Sequence, residues 1–214
     1  MIVETRAVPP FLKNGFVVAC EETGQAILID PGDEVDELLT VVRERSLTVA
    51  HILVTHGHMD HVAGITAARK ATGAPVSLHR DDLFLYEAAV EQGRMFGYDV
   101  VQPGPPDSFL EPNARFSVGR LEVTVLHTPG HSPGGVCFLI GPTGSTEVEV
   151  FAGDTLFARS IGRTDLPRGD YKTLMASIRG VLMTLPDELR VHPGHGPATT
   201  IGDERRSNPF LRSR

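Results

Sequence analysis

Two cysteines in 214 residues are too few for a disulfide framework. Cys20 and Cys137 each lie in an apolar, strand-like stretch, where a thiol acts as a small buried hydrophobe. Runs of Lys and Arg are also missing; the nearest is Arg205-Arg206. With a formal net charge of −7, the chain has no basic surface to neutralise phosphates, which argues against nucleic acid as a partner. No apolar run approaches the roughly 20 residues that span a bilayer, so no membrane association is expected. Residues 1–6 do not pair a basic segment with a long apolar core. No secretory signal is therefore expected, and the cytoplasm is the default location.

What is present suits one compact domain over 1–214, with 41% hydrophobic and 22% charged residues. Residues 2–30 read as β-structure, with Glu22-Thr23-Gly24 as a hairpin turn between the apolar runs 17–20 and 26–29. Asp30-Pro31-Gly32 breaks the pattern. Asp33 is placed to cap a helix whose Val35, Leu38, Leu39 and Val42 fall at helical spacing. A strand over 49–54, a helix over 60–72 ended by Gly73, a strand over 75–78 and a helix over 82–92 follow. From 93 to 118 the pattern dissolves around Pro103, Pro105, Pro106 and Pro112, with Met95, Phe96 and Tyr98 as its apolar points. Such a stretch is either a passive loop or a cover for a cleft. Strands over 121–126, 136–140 and 148–151 come next. Tyr171, Leu174, Met175, Ile178, Val181, Leu182 and Leu185 then form a helical stripe expected to be core. This order implies an α/β fold of two sheets with helices outside each.

The chemistry concentrates in Thr55-His56-Gly57-His58-Met59-Asp60-His61, directly after the apolar run Ile52-Leu53-Val54. Neither a plain helix nor a plain strand could aim all four side chains at one centre. A strand ending in a loop that opens a helix can. Imidazole suits zinc and iron, carboxylate suits harder ions, and the mixture allows two adjacent metals. Three further segments repeat the same grammar: Thr128-Pro129-Gly130-His131-Ser132, Phe151-Ala152-Gly153-Asp154-Thr155 and His192-Pro193-Gly194-His195-Gly196. Each follows an apolar or β-branched run and places a Gly just before a metal-type residue. Ligands at strand ends are held by a rigid sheet yet stay open to substrate. The other histidines, His51, His79, His127 and His192, read as structural.

The set THGHMDH, PGHS, AGDT and PGHG resembles the metallo-β-lactamase superfamily over residues 55–195. Within it, the chain is similar to the glyoxalase II (hydroxyacylglutathione hydrolase) branch, and to its short single-domain bacterial type. That narrower likeness rests on Arg94-Met95-Phe96-Gly97, Gly162-Arg163-Thr164-Asp165, Pro167-Arg168-Gly169-Asp170 and the run Glu204 to Leu211. The resemblance implies an αββα sandwich with its metal site at strand ends between the sheets. It implies one metal on His56, His58 and His131, a second on Asp60, His61 and His195, and Asp154 bridging both. Zinc is favoured over iron or manganese, and a hydroxide shared by the metals would attack the substrate carbonyl. Asp60 and Asp154 are the candidate catalytic carboxylates. Classical β-lactamases lack the bridging Asp, so Asp154 points away from antibiotic hydrolysis.

For substrate, the resemblance implies S-(R)-lactoylglutathione or a related hydroxyacyl thioester. In glyoxalase II the loop after the bridging Asp offers a Lys and a Tyr to glutathione. Here Arg163 holds the basic position and Asp165 replaces the Tyr. Arg163 either receives a substrate carboxylate or pairs with Asp165 and braces the loop. The full C-terminal helical extension of glyoxalase II is not expected in this chain. An alternative is a mononuclear iron persulfide dioxygenase, which shares the Gly162-to-Asp165 motif and would use His56, His131 and Asp154.

Overall fold

The computed structural model describes residues 1–212. Its first sheet holds β1 (Ile2–Arg6), β2 (Gly15–Ala19), β3 (Gln25–Ile29), β4 (Thr48–Leu53), β5 (Val76–His79) and β6 (Ser108–Leu110), in that spatial order. The second holds β7 (Arg115–Val118), β8 (Leu121–His127), β9 (Val136–Pro142) and β10 (Glu149–Gly153). A small ribbon, β11 (Leu156–Phe157) with β12 (Ser160–Ile161), precedes its last two strands, β13 (Arg190–Pro193) and β14 (Thr199–Thr200). The order there is β14-β13-β10-β9-β8-β7. Helices α1 (Val35–Glu44), α2 (Met59–Val62), α3 (Ile65–Thr72), α4 (Leu83–Glu87) and α5 (Ala89–Met95) belong to the first half, and α6 (Tyr171–Gly180) and α7 (Ile201–Ser207) to the second.

Alternate residues of each strand point to opposite faces, and here both faces are covered. Phe16, Val18, Ile27 and Ile29 meet Val123, Val125, Phe138 and Phe151 between the sheets. Their neighbours Val17, Ala19, Ala26 and Leu28 turn outward against Leu38 and Leu39 of α1 and Ile65 and Ala68 of α3. On the other side, Val150, Ala152 and Val191 pack on Leu174 and Ile178 of α6 and Ile201 of α7. β2, β3 and β10 therefore read as apolar runs, whereas β8 alternates buried Leu121, Val123 and Val125 with half-buried Glu122 and Thr124. The layers are helix, sheet, sheet, helix, the αββα sandwich that the resemblance implied.

Strand direction positions the chemistry. β3 to β6 run parallel. β10 is parallel to β13 and antiparallel to β9, which is antiparallel to β8. The C-terminal ends of β8, β10 and β13 thus share one edge. Across the sandwich, Asn14 N–H donates to Gly194 O at 2.7 Å, and Lys13 and His195 form an isolated bridge.

Several expected elements differ in detail. The residue capping α1 is Glu34, and no side chain bonds the helix start, so Asp33 is not the cap. The helix expected over 60–72 is two helices, because Gly64 N–H donates to Pro31 O and a Cβ there would lie 2.2 Å from Gly32 O. The helix expected over 82–92 breaks at Ala88 into α4 and α5. The stretch 93–118 is not wholly irregular; it contains the end of α5, then β6 and β7. The α6 stripe is core except at its start, since Tyr171 is exposed. Asp170 caps that helix, accepting from Thr173 N–H at 2.7 Å. The hairpin at Gly24 and the buried cysteines are as expected.

Candidate metal centre

β4 delivers His56 and His58 on the loop that follows it, and α2 carries Asp60 and His61 on its single turn. β8 leads to His131, β10 to Asp154 and β13 to His195. The structure brings all seven together. His131 Nε2 lies 2.9 Å from His58 Nδ1 and 3.2 Å from His56 Nε2. On the far side, His195 Nε2 is 3.2 Å from Asp60 Oδ2, and His61 Nε2 is 3.7 Å from the same oxygen. Asp154 stands between: one oxygen is 3.4 Å from His61 Nε2, and the other is 3.7 Å from both His131 and His195. The donors form three overlapping groups with atoms within 4.8 Å of one another: His56-His58-His131, His56-His61-Asp154 and Asp60-His61-His195.

The outer nitrogens explain which inner ones are free. His131 Nδ1–H donates to Arg163 O at 2.8 Å, leaving Nε2 as a lone pair. His61 Nδ1–H donates to Asp30 Oδ2 at 2.9 Å. Thr55 gives its hydroxyl proton to Asp30 Oδ2 at 2.6 Å and its N–H to Oδ1 at 2.6 Å, so its oxygen accepts from His56 Nδ1–H at 3.1 Å. A ligating His that donates its other N–H to a carboxylate or carbonyl is fixed in ring orientation and tautomer. Lys13 supports this corner, donating to Glu34 Oε1 at 2.6 Å and to Asp30 O.

A metal fits these residues. Bare imidazole nitrogens face each other across 2.9 Å, an arrangement that needs a proton or a cation between them. Among the described residues, His61 Nε2 and Asp154 Oδ1 are buried without a hydrogen-bond partner, and buried polar atoms are seldom left so. Protonation states agree. Burial, helped by the neighbouring histidines, pushes His56 well below the usual range and His58 down to about 3. Burial opposes charge on His61 too, yet the carboxylates of Asp60, Asp154 and Asp30 outweigh it and hold His61 at about 10. Burial would raise Asp60 and Asp154, but His61 and its neighbours keep both below the usual carboxylate value. Neutral His56 and His58 beside ionised Asp60 and Asp154 are the ligand state that divalent ions require, while the proton on His61 takes the place among the carboxylates that a cation would take.

Close approach is built in at Gly194, where a Cβ would lie 2.2 Å from Asp154 Oδ1. A groove of about 310 Å³ opens over the cluster, with His58, Asp60, His131, Asp154 and His195 in its floor. Its walls include Phe11, Met59, Leu85, Met95, Phe96 and Leu166. Arg163 reaches the rim but donates two hydrogen bonds to Asp165, both 2.7 Å, which hold that carboxyl down to about 2. Of the two roles open to Arg163, the structure displays the pairing.

The remaining histidines stand apart from the seven. His192 pairs with Glu149 and stacks on Phe151 at 4.8 Å. His51 rests against Phe116 at 5.3 Å. His79 and His127 stack at 4.3 Å with 12° between planes, beside Asp81. Their donor atoms come close, but in-plane lone pairs of parallel rings run side by side and do not converge.

Sequence reasoning missed two carboxylates. Asp30 directly follows β3, after an apolar run, but its glycine comes after it at Pro31-Gly32 and not before it as in the ligand segments, and it read as a turn. Asp82 is fully buried. It accepts from Gly57 N–H at 2.9 Å, Ser132 Oγ–H at 2.7 Å and Gly134 N–H at 2.6 Å, tying the two histidine loops together. No local pattern marks it.

Comparison with known proteins agrees with this geometry. Residues 8–195 match the model of the metallo-β-lactamase superfamily. Over the full length of both chains, 38% of residues are identical to hydroxyacylglutathione hydrolase GloC of Haemophilus influenzae. Among solved structures, TTHA1623 in a di-iron-bound form is 44% identical with a TM-score of 0.87, covering 98% of this chain and all of that one. The BLEG-1 B3 metallo-β-lactamase is 36% identical with a TM-score of 0.90, covering 99% of this chain and all of that one. The cluster of histidines and aspartates at the strand ends implies divalent metal ions, and the chain belongs to the metallo-β-lactamase superfamily of metallo-hydrolases.

Proposed function

We propose that this chain is a binuclear metal-dependent hydrolase that cleaves a hydroxyacyl thioester, S-(R)-lactoylglutathione or a close relative. The observation that carries this reading is the placement of Asp154, with one oxygen toward His61 and the other toward both His131 and His195. His56, His58 and His131 would hold one ion, Asp60, His61 and His195 the other, and Asp154 both. Zinc suits this nitrogen-rich set, with iron, found in the similar TTHA1623, as its competitor. Bound ions of this kind acidify water and offset negative charge on a carbonyl oxygen under attack.

The chain's own residues do the rest. Asp60 is ionised and faces the groove, so its carboxylate can accept a hydrogen bond from the attacking water and orient it. Asp30 fixes His61, and Arg163 O fixes His131. The apolar walls line the approach to the floor, where the scissile carbonyl would lie. A thiolate leaves readily, so no strong general acid is required of the site, and among the described residues the groove offers none besides the proposed ligands.

The experiment is elemental analysis of protein purified without added metal, paired with a lactoylglutathione hydrolysis assay. Two ions per chain and turnover are expected, with Asp154→Ala losing both. One ion that stays at one under excess zinc, together with oxygen consumption on a persulfide, would replace this reading with the iron dioxygenase.

A further inference from the structure

The thioester reading leaves open which half of the substrate is recognised. Recognition needs accessible groups, and in this groove the surface outside the seven-residue cluster is mainly apolar. Met95 is 77% exposed and Phe96 63%; Phe11 packs edge-on to Phe96 at 6.4 Å and to Tyr98 at 5.4 Å, extending the wall. Met59, Leu85 and Leu166 complete it. Among the described residues, the polar lining groups outside the seven-residue cluster are Gln92 and Arg163, and both are engaged. Gln92 accepts from Met59 N–H at 3.3 Å and donates to Leu85 O at 2.7 Å. Arg163 faces Asp165, whose negative charge would repel a substrate carboxylate arriving at the same guanidinium. At about 310 Å³ the groove is at the small end for ligand sites, roughly 300–1,000 Å³, enough for an acyl chain.

Resting on the proposed thioester hydrolysis, we infer that the substrate is selected by an apolar acyl chain lying along Phe11, Met59, Leu85, Met95, Phe96 and Leu166, and not by the charged tail of its thiol carrier. The cluster in the groove's floor fixes the occupant: what lies on these walls presents its carbonyl to the metal-type residues.

The test uses metal-loaded protein and thioethers, which bind but cannot be hydrolysed. Dissociation constants are measured by calorimetry for S-alkyl N-acetylcysteamines from methyl to hexyl, and for the same alkyl series on glutathione. Each methylene should tighten binding by up to about fourfold until the groove is filled. At equal chain length the glutathione series should gain no more than about twofold. Phe96→Ser, at an exposed position, should weaken the hexyl ligand by about fivefold and leave the methyl one unchanged. Asp165→Asn, which unmasks Arg163, should tighten the glutathione series alone. Affinity flat in chain length, or glutathione at least tenfold tighter throughout, would overturn the inference. Chain-length dependence with no hydrolysis of the matching thioesters would sink the proposed reaction and leave the groove's preference standing.

Discussion

Asp30 and Asp82 do at the residue scale what the seven donors cannot do for themselves. Asp30, 1% exposed, gathers the N–H and hydroxyl of Thr55 and the Nδ1–H of His61. An Asn is nearly isosteric but sets an NH₂ against one of these donors. If His61 responds by moving its proton to Nε2, that nitrogen can no longer ligate. Asp30→Asn should therefore weaken metal affinity by about 10- to 100-fold, read by competition with a chromogenic chelator. Asp82 works through the backbone of the loops. Asp82→Ala leaves Gly57 N–H, Gly134 N–H and the Ser132 hydroxyl unpartnered in the interior, and each such loss costs about 1–3 kcal/mol before relaxation. Urea unfolding of the metal-free variant should give a total loss of about 2–4 kcal/mol. A variant as stable as the parent would show that the loops hold themselves.

At the element scale, the site is a consequence of strand direction. Parallel runs in each sheet put the ends of β3, β4, β8, β10 and β13 at one edge of the sandwich, and each ligand follows its strand within a few residues. The turn after β13 must come so near Asp154 that no side chain fits. Gly194→Ala puts a Cβ 2.2 Å from Asp154 Oδ1 and 2.8 Å from the His61 ring. Metal content should fall while far-UV circular dichroism stays that of the parent, because Gly194 lies beyond the last residue of β13. An unchanged metal content would mean that the turn is free to move aside. This strand-end grammar is also why the seven-residue set was legible in the sequence. His131, Asp154 and His195 are each announced by an apolar run and a glycine, and His56, His58, Asp60 and His61 by one dense segment after an apolar run. What was not legible depends on distant chain. The break between α2 and α3 comes from the loop 31–32 packing on Gly64. Asp82 bonds partners 25, 50 and 52 residues away. β6 and β7 sit in a proline-rich stretch whose pairing partners, β5 and β8, were needed to reveal them.

Across the whole molecule, the donors divide between the sheets. His56, His58, Asp60 and His61 come from the first half, and His131, Asp154 and His195 from the second. Between the halves lies the apolar layer of Phe16, Ile29, Val125 and Phe151, but the edge above it is lined by charged and polar ligands. That edge gathers carboxylates and polar atoms without a hydrogen-bond partner among the described residues. An ion bound there links sheet to sheet and binds the folded chain alone, because the unfolded chain scatters its ligands. Binding of this kind stabilises by about 4 kcal/mol at a thousand times Kd. For a domain of this size, that converts to a rise in Tm of roughly 8–16 °C. Chelation should therefore lower Tm by about this amount, and added zinc should restore it in a concentration-dependent way. The control is His127→Gln, whose ring stacks on His79 outside the seven; it should keep the full metal-dependent shift even if its baseline Tm falls. A Tm indifferent to chelation in protein shown to lose its metal would mean that the apolar layer alone joins the halves, and that the ligand cluster is held open by the sheets at no cost to them.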